Sequence, residues 1–255
     1  MTSAAFGRAW VIRLLSLSLL LAAWQGAAWL AHAPQLLPAP SSVLTVATRL
    51  TRTGALPVNI AITLARVAAA FAIAMVLGCL AGFAAGRSPR LNAMIDPWLT
   101  VGLNLPVLVV IILAYIWIGL NDVAAVLAVA IAKMPTVVVT LREGARAFDP
   151  QLDELAQVFR LSRRRWLRRI AVPQLAPYLA AAGRSGLSIT WKIVLIVELL
   201  GRPNGVGFEL NLHFQNFDVA GVLAYGLSFA VIMLLLEACV LQPWERAASA
   251  WRGDA

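Results

Sequence analysis

Five ionisable side chains stand inside otherwise apolar stretches of this sequence: Arg66, Lys133, Lys192, Glu198 and Glu237. A charge in a lipid-like setting is expensive, so it must be paired, face water or serve a function. Pairing of Lys192 with Glu237, or of Lys133 with Glu198, would neutralise charges internally. Arg66 lies near one end of its stretch and either snorkels to the interface or serves a function. Cations along a pore would suit an anionic solute, which makes Asn104, Trp191, Lys192 and Glu198 the candidates for a translocation pathway. Other chemistry is not supported. His32 and His213 are isolated, no nucleophile–base pair or metal cluster is visible, and Cys79 and Cys239 read as small packing residues. No Gly-x4-Gly-Lys-Ser/Thr phosphate loop occurs, so no ATP chemistry and no cofactor is expected on this chain.

The surroundings of these residues set the solvent. The chain is 61% hydrophobic and 13% charged, with a mean hydropathy of +0.81, against about 25% charge in a soluble domain. It needs lipid, and lipid requires backbone groups satisfied within helices or closed barrels. The apolar segments are long and do not alternate, so an all-α membrane protein is expected. The net charge of +9 lacks any basic-aromatic groove pattern and is assigned to membrane topology, not nucleic acid.

Six transmembrane helices are expected: Val11–Ala31, Asn59–Gly86, a third within Ile95–Leu120, Val123–Thr140, Gly183–Leu200 and Val219–Leu241. The first resembles a signal peptide, with Arg8 before it and Ala31-His32-Ala33 after it. Its length, and Pro34 next to the cut, favour a retained helix. Ser42–Thr53 reads as a short interfacial helix. Gly78, Gly82 and Gly86 are spaced to let another helix approach closely. Pro106 should kink or break the third span. With the N-terminus inside, 15 Lys and Arg residues fall in inner segments and 3 in outer ones, which places both termini in the cytoplasm. The chain divides into an N-terminal helix and periplasmic segment (1–56), a core (57–245) holding a cytoplasmic loop (141–177), and a cytoplasmic tail (246–255).

That loop contains two short helices. Asp149 can cap the first, with Pro150 in its first turn. Ser162 can cap the second, which should stop near Pro173. In it Trp166, Leu167 and Ile170 share a face, and arginines cover the rest, giving a basic amphipathic helix on the inner membrane face. A generic polybasic segment bound to anionic lipid accounts for the arginines. It does not account for the order Glu154, Ala156, Ile170, Pro173.

Those four residues carry a resemblance. The loop resembles the motif Glu-Ala-Ala, three residues, Gly, nine residues, Ile, two residues, Pro of permeases of binding-protein-dependent ABC importers. Leu155 replaces the first Ala and Arg160 the Gly. If that Gly is left-handed, Arg160 costs about 1–2 kcal/mol, or the first helix runs on further. The resemblance extends from about Leu37 to Trp251 and is closest to nitrate/sulfonate/taurine-type permeases. Their pattern is matched by Thr63 and Arg66, by Pro106, Trp117 and Gly119, by Trp191 and Glu198, and by Gly205 and Gly207. Val109 and Ile112 stand where relatives have Ala and a second Pro, so a straighter third helix is expected.

The resemblance implies a six-helix bundle like that of type I (MetI-like) importer permeases, in the bacterial inner membrane. It implies a second permease copy, a cytoplasmic ATPase dimer and a periplasmic solute-binding protein. The loop would couple to the ATPase through Glu154, Ala156, Arg160, Leu161, Ile170 and Pro173. The solute would be a small anion such as a sulfonate, taurine or nitrate, although relatives also move vitamin precursors and aromatic acids. A stand-alone secondary transporter is the competing class, but it often shows internal repeats, and none is clear here.

Overall fold

The computed structural model describes residues 3–243, with side chains from residue 11 onward except 13, 14 and 241; the expected tail at 246–255 lies outside them. Every regular element among them is helical. In chain order these are α1 (Ser3–Ala31), α2 (Pro40–Arg52), α3 (Ala55–Arg87), α4 (Pro89–Asn104), α5 (Val107–Ile118), α6 (Asp122–Arg146), α7 (Pro150–Val158), α8 (Arg163–Trp166), a π-turn (Leu167–Ala171), α9 (Val172–Gly201), α10 (Val206–Gln215), α11 (Val219–Leu236) and a second π-turn (Glu237–Leu241).

Four helical segments are long and apolar enough to cross a membrane: Ala55–Arg87, Asp122–Arg146, Arg163–Gly201 and Val219–Val240. α4 and α5 make a fifth if counted as one span. The described apolar part of α1, Leu15–Ala31, is shorter than those spans, so the described residues do not give the expected count of six. The break between α4 and α5 falls at Leu105–Pro106, where the chain bends by 99°. Pro106 has no N–H to continue the α4 ladder, and its ring opposes helical backbone at Leu105. The third segment is therefore not straighter, although α5 itself runs unbroken past Val109 and Ile112.

The core is the packing of α3 on α6, with α9 across both. A Cβ added at Gly82 would lie 2.5 Å from the Val138 carbonyl oxygen, and one at Gly86 would lie 2.6 Å from the Ala145 Cβ. The glycine stripe thus admits the α6 backbone, as its spacing predicts. Between the helices Val67, Ala70, Ala125, Ala128, Val129, Val194 and Val197 form the inner cluster. α1 is peripheral, with Leu15, Leu17, Leu19 and Leu20 all exposed. It is joined to the start of α2 by Trp24 Nε1, which donates to the Pro38 carbonyl at 3.1 Å.

The expected stop at Pro173 does not occur. The helix that begins at Arg163 runs through Pro173 and Pro177 to Gly201. In an α-helix the Pro173 ring would clash with the Arg169 carbonyl. The π-turn at Leu167–Ala171 widens the helix just before that point.

Candidate functional site

Two polar assemblies stand at opposite ends of α3. The first is the loop between α6 and α9. Asp149 caps α7 by accepting from the Gln151 N–H at 2.9 Å, as expected. Ser162 precedes α8 but makes no side-chain cap bond. α7 ends in a Schellman turn: the Leu161 N–H donates to the Ala156 carbonyl at 2.9 Å and the Arg160 N–H to the Gln157 carbonyl at 3.0 Å. Such a turn needs left-handed backbone at its penultimate position, and Arg160 sits there with φ +46°. Arg160 therefore carries the strain that its replacement of glycine foreshadows, about 1–2 kcal/mol.

The loop is held by Trp166 together with Arg87, Asp153, Phe83 and Phe148, which the sequence did not single out. Arg87, at the end of α3, pairs with Asp153 at 2.7 Å and lies over the rings of Phe148 and Trp166. Trp166 Nε1 donates to the other Asp153 oxygen at 2.8 Å. Phe83, Phe148 and Trp166 close a ring of mutual contacts. Partial burial raises the Asp153 carboxyl, but the hydrogen bonds from Arg87 and Trp166 and the Arg87 charge outweigh it. The carboxyl is held below its ordinary value. The Gln174 Oε1 accepts from the Asp149 N–H at 2.9 Å and ties α9 to α7.

Of the expected coupling residues, Ala156 and Ile170 are buried, Leu161 and Pro173 are half-buried, and Glu154 and Arg160 are exposed. Leu167 is 48% exposed and does not share the inward face of Trp166 and Ile170. The end of α7 presents Leu155, Val158 and Phe159 outward at 50%, 77% and 69% exposure. No described residue covers these three side chains.

The second assembly lies at the other end of α3. Arg66 is 6% exposed and does not snorkel. Its Nη1 donates to Glu198 Oε1 at 2.6 Å and to the Asn204 carbonyl at 2.9 Å, and its Nε donates to Asp122 Oδ1 at 2.8 Å. Glu198 is fully buried. It also accepts from Thr63 Oγ1 and from the Gly207 N–H, each at 2.9 Å. The Thr63 hydroxyl in turn accepts from the Val206 N–H at 2.8 Å, and Asn59 Oδ1 from the Gly205 N–H at 2.8 Å. One network thus joins α3, α6, α9 and the elbow into α10. Gly205 has φ +102°, and any Cβ there would meet the Glu198 carboxylate. Gly207 lies against the Leu195 carbonyl. This is the physical content of the spacing Thr63-x2-Arg66, Glu198 and Gly205-x-Gly207.

The expected pairings fail. Glu198 pairs with Arg66, not Lys133, and Glu237 lies 3.6 Å from Arg184. Lys133 is 2% exposed, and its Nζ finds no hydrogen-bond partner among the described residues. Lys192 makes no ion pair among the described residues; its ammonium lies 5.5 Å from the Trp191 ring centre. Lys192 and Trp191 line a cavity of about 290 Å³ with Ser188, Met233 and Glu237, between α9 and α11. Asn104 is exposed at the end of α4 and donates to its own helix at Thr100. The pathway candidates are therefore not brought together: Trp191 and Lys192 share a cavity, Asn104 is elsewhere, and Glu198 is sealed inside the second assembly.

A bundle of membrane-length helices, with a structured two-helix loop at one end and a broken helix beside the core, has the architecture of an integral membrane protein. The chain belongs to the family of binding-protein-dependent transport system inner membrane components, whose model matches residues 74–241. It is 28% identical over 246 residues to the aliphatic sulfonates transport permease SsuC of Bacillus subtilis (strain 168), covering 96% of this chain and 89% of that one. It is 26% identical over 196 residues to the taurine transport system permease TauC of Escherichia coli (strain K12), covering 77% and 71%. The fold is similar to that of an amino acid ABC transporter crystallised with histidines. The TM-score is 0.63 at 19% identity, covering 78% of this chain and 97% of that one.

Proposed function

We propose that this chain is the transmembrane permease subunit of an ATP-driven importer for a small anion of the sulfonate, taurine or nitrate type. The observation that carries the reading is the loop. A capped helix, a Schellman turn at the position of the family's glycine and an anchored second helix present an apolar tip at α7, within a chain matched by the family model over 74–241. We assign that tip to a cleft in the ATPase. Ala156, Leu161, Ile170 and Pro173 set its shape, and Glu154 and Arg160 present charge beside it. Closure of an ATPase dimer would then move the α7–α9 unit as a lever and rock the bundle between inward-open and outward-open states.

The arginine asymmetry supports a loop and both termini on the cytoplasmic side. A periplasmic solute-binding protein would then deliver the anion at the end holding Arg66 and Glu198, and a second copy of this chain would complete the pathway. Both relatives above are named for sulfonate-bearing solutes. Lys192 is exposed within a span, where lipid contact would cost about 2.5–3.5 kcal/mol; its cavity beside Trp191 suits an anion in passage. We assign Trp191 and Lys192, with Asn104 at the helix break, to that pathway, and Glu198 to its scaffold.

The test is uptake by vesicles holding this chain with its ATPase and binding protein. ATP-dependent accumulation of taurine or an alkanesulfonate supports the reading. Accumulation that continues without ATP defeats it. A reporter fused after Arg164 should read cytoplasmic and one after Asn204 periplasmic.

A further inference from the structure

The loop carries two chemically distinct surfaces, and the coupling assignment uses only one of them. The tip of α7 is apolar: Leu155, Val158 and Phe159. The helix that follows presents Arg164, Arg165, Arg168 and Arg169 around an open space of about 630 Å³ that no other residue lines. All four are exposed, and none makes an ion pair among the described residues. The neighbouring carboxylate, Asp153, is already taken by Arg87 and Trp166. Four like charges within two turns repel one another, so an anionic partner from outside the chain would stabilise them.

Position selects that partner. The arginine-bearing segment continues without a break into α9. α9 has 30 residues, about 45 Å at 1.5 Å per residue. A bilayer with its headgroup layers is about 40–45 Å thick. The arginines therefore fall where α9 leaves the headgroup layer, within reach of their side chains. Arg164 and Arg168, and Arg165 and Arg169, are four residues apart and so lie on one side of the helix. Trp166 and Ile170 point the other way, into the protein.

We infer that Arg164, Arg165, Arg168 and Arg169 form a binding surface for anionic phospholipid headgroups of the cytoplasmic leaflet, holding α8 at the membrane surface while the α7 tip engages the ATPase. The inference rests on the orientation proposed above, which the Arg164 reporter fusion tests separately. Clustered arginines beside a spanning helix attract acidic lipid through phosphate contacts and the leaflet's negative potential. The lipid then acts as a fulcrum: it restrains α8 as ATPase closure pulls on α7.

The experiment uses the purified complex of this chain with its ATPase, in phosphatidylcholine vesicles doped with spin-labelled phosphatidylglycerol or spin-labelled phosphatidylcholine. The motionally restricted fraction should favour phosphatidylglycerol severalfold and lose that preference in high salt. The variant with all four arginines changed to glutamine should show near parity between the two lipids. A variant with all four changed to lysine should keep the preference, which separates charge from folding. In detergent free of acidic lipid, the glutamine variant should still hold the ATPase. Undiminished preference for phosphatidylglycerol in the glutamine variant overturns the inference. So does loss of the ATPase from that variant in detergent, which would assign the arginines to the ATPase contact.

Discussion

Arg66 and Glu198, which are 132 residues apart in sequence, meet at 2.6 Å in a site where Glu198 has no solvent exposure and Arg66 has 6%. The pair is locked further by Asp122, Asn204, Thr63 and Gly207. It fixes the end of α9, the elbow into α10 and the start of α6 onto α3.

Removing one partner strands a buried charge. Arg66→Met should destabilise by about 3–5 kcal/mol, read as a fall in the unfolding temperature of the detergent-purified protein. Adding Glu198→Gln to it should recover part of that loss. A double variant that is worse than Arg66→Met alone would show that the pair is not the source of the loss.

Arg160 carries left-handed backbone that glycine adopts without penalty. Arg160→Gly should therefore stabilise the turn by up to about 1 kcal/mol and slow hydrogen exchange at residues 157–161. Arg160→Val should do the reverse. Faster exchange in the glycine variant would mean that the arginine side chain, not the backbone, stabilises the turn.

Asp153 is the hinge pin of the loop. Its carboxyl is held below its ordinary value of 3.8 by Arg87 and Trp166. The stabilisation it provides is therefore complete above that ordinary value and is lost as pH falls through the lower, folded-state value. Loop stability should be flat from about pH 5 to 8 as far as this group is concerned. Asp153→Asn should remove the effect at every pH and speed tryptic cutting between Arg160 and Arg165. Cutting rates that match the parent protein would disprove the anchor.

Lys133 is buried with no partner for its amine among the described residues. An unsatisfied buried polar group costs about 1–3 kcal/mol, so Lys133→Met should raise the unfolding temperature. A fall would show that the amine meets a partner outside this chain.

Features that depend on local sequence were legible. Asp149 and Pro150 mark the start of α7, Pro106 marks the break between α4 and α5, and the four-residue glycine spacing marks a close helix contact on α3, though not α6 as its partner. The strain at Arg160 followed from one substitution in a spaced pattern. Partners across the bundle were not legible. Lys133 and Arg66 are both cations in apolar helices, and only the azimuth and depth of α3 against α9 select Arg66 for Glu198. The passage of the helix through Pro173 was hidden too, because a π-turn has no residue signature in this stretch. Nor did the sequence reveal that Arg87, Asp153 and Trp166 meet, since they lie on three separate helices.

The central claim is that the α7 tip transmits ATP-driven motion to this chain. The most direct measurement is ATP-dependent uptake of taurine or an alkanesulfonate by vesicles holding the complete transporter, with and without Glu154→Arg and Phe159→Asp in this chain. Both residues are exposed, so the fold should stand. The account predicts that uptake requires ATP, and that the substitutions abolish it along with ATPase binding while the chain still inserts and unfolds at the parent temperature. Undiminished ATP-driven uptake and ATPase binding in the doubly substituted protein would contradict it.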